Sequence, residues 1–348
     1  MKKLSIISSD EILNKSIIKN KILNNIDYEK INLDSLDINT LKNKRILFLV
    51  KLNEIGYDEY ILNFLLKIKN LNMDFENSIG SIIIMSNSSL YTKSFASNLI
   101  FLANSLKCSF IGHPMIEKTK DYKNFLTWQK RLDIPLEDIF IDFCKKLIQR
   151  LISYNYVKKY DKNICVLHSS SKKTSNTLGF WNKIKSNLDD RINIKELHVE
   201  NGTVLDCIGC SYTMCMHYSK QKSCYYGGFM IKEIFPEIEK ANSIIFLCPN
   251  YNDSISANLM AVINRLTALY RNINFYNKAL YSIIVSGNSG SDSLAKQLID
   301  SLCINKGFFL PANFCTHEIA YEPNSIYKVF DIDKKSKIFA RNIEKYLI

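Results

Sequence analysis

The chain has 348 residues, carries 46 Lys and Arg against 34 Asp and Glu for a formal net charge of +12, and is 47% hydrophobic and 11% aromatic. That length suits two domains of about 150–200 residues, and no apolar run approaches the ~18–20 residues that span a bilayer. The basic residues are scattered among Asn, Asp and Glu rather than gathered into a block, which argues for a solvated surface and against nucleic-acid binding.

The opening Met1-Lys-Lys-Leu-Ser-Ile-Ile-Ser-Ser-Asp10 has an apolar stretch too short for a secretory signal, so a cytoplasmic protein is expected. Lys3–Ser8 reads as a first strand, Tyr28–Leu33 as a second, and Arg45–Val50 as a third that leads into a helix through Tyr60–Ile68. Ser81–Ser88 follows as a strand, then a helix over Ser94–Leu106, a short fifth strand near Phe110 and a long amphipathic helix over Asp138–Tyr154. The same order then returns. Asn163–His168 is a strand, and the spacing of Leu178, Phe180, Trp181 and Ile184 predicts a helix behind it. Asn193–Leu197 and Ser243–Cys248 are strands, the latter with a helix over Ala257–Leu269. Ser282–Ser289, a helix over Ser293–Ile304, a fifth strand near Phe308 and a closing helix over Asp331–Leu347 complete the repeat.

Strands of Ile, Val, Leu and Phe that alternate with helices predict a parallel sheet covered on both faces. The expectation is two tandem α/β domains, 1–158 and 159–348, with a polar junction near Lys158–Lys162.

The halves differ where chemistry would sit. The strand at Asn163–His168 breaks into Ser169-Ser-Ser-Lys-Lys-Thr-Ser-Asn-Thr177 and then a helix start, so free backbone N–H groups and hydroxyls could receive a dianionic phosphate. Neither a Walker lysine nor G-x-G-x-x-G is present, which leaves a mononucleotide phosphate such as that of FMN as the candidate. In the first half the matching loop, Ser8-Ser-Asp-Glu11, carries an acidic pair that would repel phosphate, so that half reads as a degenerate copy.

Four of the ten cysteines are concentrated in a loop of the second half, as Cys207-x2-Cys210-x4-Cys215-x8-Cys224 with His217 between. Three readings stand beside one another: a [4Fe–4S] cluster on the four thiolates, a zinc ion held by the same four or by three with His217, and reduced thiols that pack the loop. Cys108, Cys144, Cys165, Cys248, Cys303 and Cys315 lie in or beside apolar runs or on a helical pattern, as buried structural thiols do. His113, His198, His317, Trp128 and Trp181 read as packing or surface residues, and Tyr225 and Tyr226 as loop packing or the border of a pocket.

Over most of Lys162–Ile348 the chain resembles the NADPH-dependent FMN reductase family, and within it the iron–sulfur flavoproteins. Three segments carry the resemblance in order: Ser169 with Ser175-Asn-Thr177, similar to the family's G-S-P-R-x-x-S-N-T loop; Cys207-Ile-Gly-Cys210 with Cys215 and Cys224; and Pro249-Asn-Tyr251-Asn-Asp-Ser-Ile-Ser256 running to Asn264-Arg265. The resemblance implies a flavodoxin-like, doubly wound fold. It places Ser169, Ser171, Ser175, Asn176 and Thr177 around the FMN phosphate, and Pro249, Asn250, Tyr251 and Asn252 along the isoalloxazine. Ser286, Gly287, Asn288 and Gly290 would present backbone N–H groups to its pyrimidine edge, where donors stabilise the charge that a hydride brings.

There are departures. His168, Ser170 and Ser171 stand where the family has Gly, Pro and Arg, so that Lys172 or Lys173 would supply the charge near the phosphate. Gly227-Gly228 replaces the family's acidic pair, and its iron–sulfur cysteine spacing is tighter than the one here.

The implied activity is an NAD(P)H-dependent FMN oxidoreductase or electron-transfer flavoprotein. Hydride would reach flavin N5 and pass to a quinone, a free flavin, an aromatic compound or a redox protein, with no side chain required as acid or base. A homo-oligomer or an internal pseudo-dimer is expected, without nucleic-acid or membrane partners. The alternative is a non-catalytic binding protein, with degenerate domains and a zinc- or redox-sensing cysteine loop.

Overall fold

Runs of Ile, Leu, Val and Phe build the strands of the computed structural model, which describes residues 3–33, 36–37, 39–156, 161–170 and 173–347. The chain divides into two compact units, Met1–Asn155 and Tyr156–Ile348. In the first, β1 (Leu4–Ile7), β2 (Tyr28–Lys30), β3 (Arg45–Lys51), β4 (Ile79–Met85) and β5 (Ser109–Lys118) form a sheet in the order β2-β1-β3-β4-β5. Every pairing in it is parallel. Helices α1 (Asp10–Leu13), α2 (Glu59–Asn70), α3 (Thr92–Ser105), α4 (Leu126–Leu132) and α5 (Leu136–Ser153) connect and flank these strands. Side chains of β3 and β4 are buried on both faces, as central strands of a covered parallel sheet require.

The second unit contains β6 (Asn163–His168), β7 (Asn193–His198), β8 (Ser243–Pro249), β9 (Ala279–Ser286) and β10 (Cys315–Ile319), in the order β10-β9-β8-β6-β7. Its helices are α6 (Asn176–Lys185), α7 (Tyr212–Lys220), α8 (Phe235–Lys240), α9 (Ala257–Tyr270), α10 (Ser291–Leu298) and α11 (Ile332–Glu344). Its pairings too are all parallel, and read from its other edge the sheet repeats the order of the first. Both units therefore have the flavodoxin-like, doubly wound topology. Phe180 and Trp181 of α6 are fully buried, and the Trp181 Nε1–H is donated to Glu196 Oε1 on β7 at 3.0 Å.

One element lies elsewhere than expected. Phe308, Phe309 and Leu310 are fully buried, but Phe309 makes a single parallel bridge to Ala279, and the edge ladder of the second unit runs at Cys315–Ile319. Pro311 has no N–H to give a ladder, and Asn313 turns the chain with φ +49, so the strand detours before it resumes. Three steps along β9, from Ala279 to Ser282, are matched by six on the outer segment, from Phe309 to Cys315. The first unit shows the same detour. Two steps along β4, from Gly80 to Ile82, are matched by five along β5, from Phe110 to Met115, with His113 at φ +49.

Candidate functional site

In the second unit the direction of winding reverses beside β6, which lies between β7 and β8. At such a switch point the loops leaving neighbouring strands part to opposite faces and open a crevice at the carboxyl ends. The loop after β6 ends at Ser175, the N-cap of α6, whose Oγ accepts from the Leu178 N–H at 3.3 Å. Two further helices begin at this end, α9 with Ser256 at its N-cap and α10 with Gly290 at its N-cap. Three helix N-termini thus direct their partial positive charge to one end of the sheet. The Ser169 and Ser256 hydroxyls meet at 2.9 Å and tie the first two loops together. Ser171 and Lys172 lie outside the described residues, and Lys173 is exposed.

Two amide side chains named for the ligand, Asn176 and Asn250, act as staples between loops. Asn176 Nδ2 donates to the carbonyls of Ala320 at 3.0 Å and Glu322 at 2.9 Å, and its Oδ1 accepts from the Ile326 N–H at 3.1 Å. Asn250 Nδ2 lies 3.1 Å from Asp253 Oδ1, 3.1 Å from Ser286 Oγ and 2.9 Å from the Ser289 carbonyl, joining the loop after β8 to the loop after β9. Asn250 Oδ1 also accepts from the Asp253 N–H at 2.9 Å. Thr177 and Ser286 are buried, the latter with its hydroxyl 2.8 Å from Ser291 Oγ.

What remains open at the crevice is Ser169, the first turn of α6, and the exposed Tyr251, Asn252, Gly287 and Asn288, with Pro249 buried at the end of β8. Asn252 and Asp253 take left-handed backbone angles, φ +54 and +55, which form the tight corner that Asn250 fastens. Gly290 is required where it stands. Its φ is +85, and a Cβ there would lie 1.8 Å from Asp253 Oδ1.

Two residues at this site carried no sequence signal. Tyr321 is 81% exposed in the loop after β10, and its ring lies 3.2 Å from where a Cβ on Gly287 would be. His198 ends β7 directly beside His168 in the parallel register, and the two imidazoles stack at 4.9 Å with 10° between their planes. His168 Nδ1 hydrogen-bonds the Ser170 carbonyl at 3.0 Å, so it holds the loop's backbone where a phosphate-binding loop elsewhere has glycine. Burial and the neighbouring His198 lower the His168 pKa. Burial pushes the Glu196 carboxyl up, but hydrogen bonds from Lys185 and Trp181 outweigh it and hold the group below its usual range.

The equivalent crevice of the first unit holds an ion pair of its own. A cavity lies there, with Ser9, Glu11, Lys51, Asn53 and Asp58 among its walls. Glu11 pairs with Lys51 across it, and Asp10 pairs with Lys30 at 2.6 Å. Asp58 caps α2 and accepts from the Lys51 N–H at 2.8 Å and the Ile61 N–H at 3.1 Å, while burial raises its pKa. Carboxylates stand where a phosphate would have to enter.

Cys207, Cys210, Cys215 and Cys224 line one cavity beside α9 and are all free thiols. Among the described residues, no three His, Cys, Asp or Glu side chains stand where they could hold one metal ion. Also among the described residues, no helix is long and apolar enough to cross a membrane.

Residues 163–320 match the NADPH-dependent FMN reductase family. No curated protein matches the sequence. Among solved structures, the chain is similar to RosB with a bound 8-demethyl-8-formylriboflavin-5'-phosphate intermediate, at 13% identity and a TM-score of 0.41 over 53% of this chain and 78% of that one. It is similar to the NAD(P)H:quinone oxidoreductase from Methanothermobacter marburgensis, at 12% identity and a TM-score of 0.41 over 53% of this chain and 98% of that one. It is also similar to oxidised flavodoxin 1 from Bacillus cereus, at 10% identity and a TM-score of 0.35 over 53% of this chain and 99% of that one. The match to the NADPH-dependent FMN reductase family lies wholly within the second unit, from the first strand of its sheet, β6, to its edge strand β10, and the likeness to that family of flavin-dependent oxidoreductases belongs to this segment.

Proposed function

We propose that the second unit binds FMN at the β6–β8 switch point and works as an NAD(P)H-dependent oxidoreductase. The observation that carries this reading is the hydroxyl-rich loop after β6, capped by Ser175 and feeding the N-terminus of α6 at the switch point. The donor set suits a phosphate. It comprises the first-turn N–H groups of α6, the Ser169 hydroxyl and the exposed Lys173 ammonium, with no carboxylate in the loop between His168 and Asn176. FMN, when bound, supplies hydride acceptance from a nicotinamide and onward delivery of the electrons.

The chain's own contribution is to bind, orient and shield. Tyr251 and Tyr321 offer exposed aromatic faces to a planar ring. Gly287 leaves the approach to β9 open, and the Asn250 staple fixes the loop on which it lies. No side chain at the crevice has to act as acid or base for hydride transfer. The first unit serves as the degenerate partner domain, its crevice occupied by its own side chains.

A binding protein without turnover is the second reading, favoured by the use of Asn176 and Asn250 as staples. Anaerobic absorbance spectra of the purified protein, with added FMN and then NADPH, separate the two. A flavin spectrum that bleaches with NADPH is expected. FMN bound without bleaching selects the second reading, and failure to bind FMN defeats the proposal.

A further inference from the structure

Beyond the flavin crevice, a cavity lies between the segment that follows β7 and the C-terminal half of α9. Its walls bring together Cys207, Cys210, Cys215 and Cys224 with Arg265 and Arg271. Arg265 is nine residues past the α9 N-cap, so the cavity is roughly 13 Å along the helix from Ser256.

The arginines are its most telling feature. Arg265 is only 2% exposed, and among the described residues no carboxylate forms an ion pair with it. Its Nη2 donates to the Gly227 carbonyl at 2.9 Å and its Nη1 to the Leu205 carbonyl at 3.4 Å, with the Tyr226 ring 5.9 Å away. The Nε atoms of both Arg265 and Arg271 are buried with no hydrogen-bond partner. Arg271 otherwise lies over the Tyr212 ring at 4.6 Å. Asp206, between Leu205 and Cys207, is exposed and accepts from the Cys207 N–H at 2.7 Å and Asn264 Nδ2 at 2.9 Å. A buried cation such as Arg265, without a counter-charge and with a donor left over, is stabilised by an anion.

The thiols indicate what kind of anion. Cys207 is exposed at the cavity mouth. Gly209, at φ +68, folds the C-x-x-C turn back so that its N–H donates to Cys207 Sγ at 3.5 Å. Lys306 is near enough to Cys207 to interact with it electrostatically. Cys210 sits just before Ser211, the N-cap of α7. The C-x-x-C spacing puts a second thiol three residues from the exposed one, where it can resolve a mixed disulfide.

We propose that this cavity is a thiol–disulfide exchange site for a small, negatively charged organic disulfide, held by Arg265 and Arg271. The Cys207 thiolate attacks one sulfur of the substrate, a mixed disulfide forms, and the first substrate thiolate leaves. Cys210 then loses its proton to solvent and attacks Cys207 Sγ, forming the Cys207–Cys210 disulfide and releasing the second substrate thiolate. One disulfide is reduced to two thiols while one protein dithiol is oxidised. The exchange uses no flavin, so it stands or falls independently of FMN binding.

The test is single-turnover reaction of the reduced full-length protein with dithiobis-nitrobenzoate, a dianionic disulfide, and with dithiodipyridine, a neutral one. Each rate is referred to that of free cysteine. The charged reagent is expected to gain at least about tenfold over the neutral one, an advantage that falls as salt is raised. Mass spectrometry should find the Cys207–Cys210 disulfide, and Cys207→Ser, at an exposed position, should remove the fast phase while the protein stays folded. Arg271→Gln should abolish the charge preference; because Arg271 is only half-buried, this variant keeps the test independent of whether Arg265→Gln folds. Equal relative rates for the two reagents, a preference unmoved by Arg271→Gln, or a stoichiometric metal that masks all four thiols would each overturn the proposal.

Discussion

Asn176 Nδ2 and the Ala320 carbonyl, 3.0 Å apart, fasten the loop after β10 to the first turn of α6. With the companion bonds to Glu322 and Ile326, this one amide orders a segment that includes Tyr321. A side chain in a phosphate-loop motif is thus committed to architecture before any ligand arrives. Asn176→Ala should cost about 1–3 kcal/mol. Urea unfolding without FMN checks this, and an unchanged midpoint would mean that the amide acts only on a ligand.

His168 should make the protein lose stability in mild acid. Its pKa is lowered from 6.5 in the folded state by burial and by His198, so the unfolded chain binds more protons between the two values. Stability therefore rises with pH through this window and levels off above about 6.5. His168→Asn should flatten that slope. The comparison is of denaturation midpoints for the two proteins between about pH 5 and 7.5, where His198, Glu196 and Glu200 remain as common background.

Gly290→Ala meets two obstacles, a left-handed φ of +85 and a Cβ 1.8 Å from Asp253 Oδ1. About 1–3 kcal/mol of strain is expected, relieved by breaking the Asp253–Asn250 contact. Calorimetric melting should show the loss. FMN uptake should fall with it, because the loop that carries Gly287 and Asn288 moves.

Tyr321→Ala should leave stability almost unchanged, since the ring is exposed, and weaken FMN binding by about 1 kcal/mol, roughly fivefold. Fluorescence titration with FMN measures it. Tyr321→Phe should restore affinity if the aromatic face is what counts.

The strands were legible because Ile, Leu, Val and Phe are dense in a sheet buried on both faces, and the helices because their apolar positions recur at helical spacing. The exception shows the limit of that signal. Phe308, Phe309 and Leu310 are as buried as any strand, yet the edge ladder runs through Cys315-Thr-His-Glu-Ile319, whose mixed polarity reflects an edge with one open face. At the site, the phosphate loop was visible as a run of hydroxyls before a helix. The staples were not, because an Asn that bonds backbone atoms far along the chain has the same sequence signature as an Asn that awaits a ligand. The uncompensated charge of Arg265 was equally hidden, since a buried cation shows itself only when its neighbours are known.

The detour that interrupts the outer strand at the same place in both sheets gives the protein an internal ruler. Ile82 beside Met115 and Ile283 beside Thr316 are matched positions, so each unit can be read against the other rung by rung. On that ruler the loops after β1 and β6 are direct counterparts, one holding the Glu11 that pairs with Lys51 and the other holding serines. A single polypeptide thus contains both the receptive and the self-occupied version of one scaffold. Exchanging those two loops within the chain would compare them at identical concentration, solvent and expression level, with each molecule as its own control.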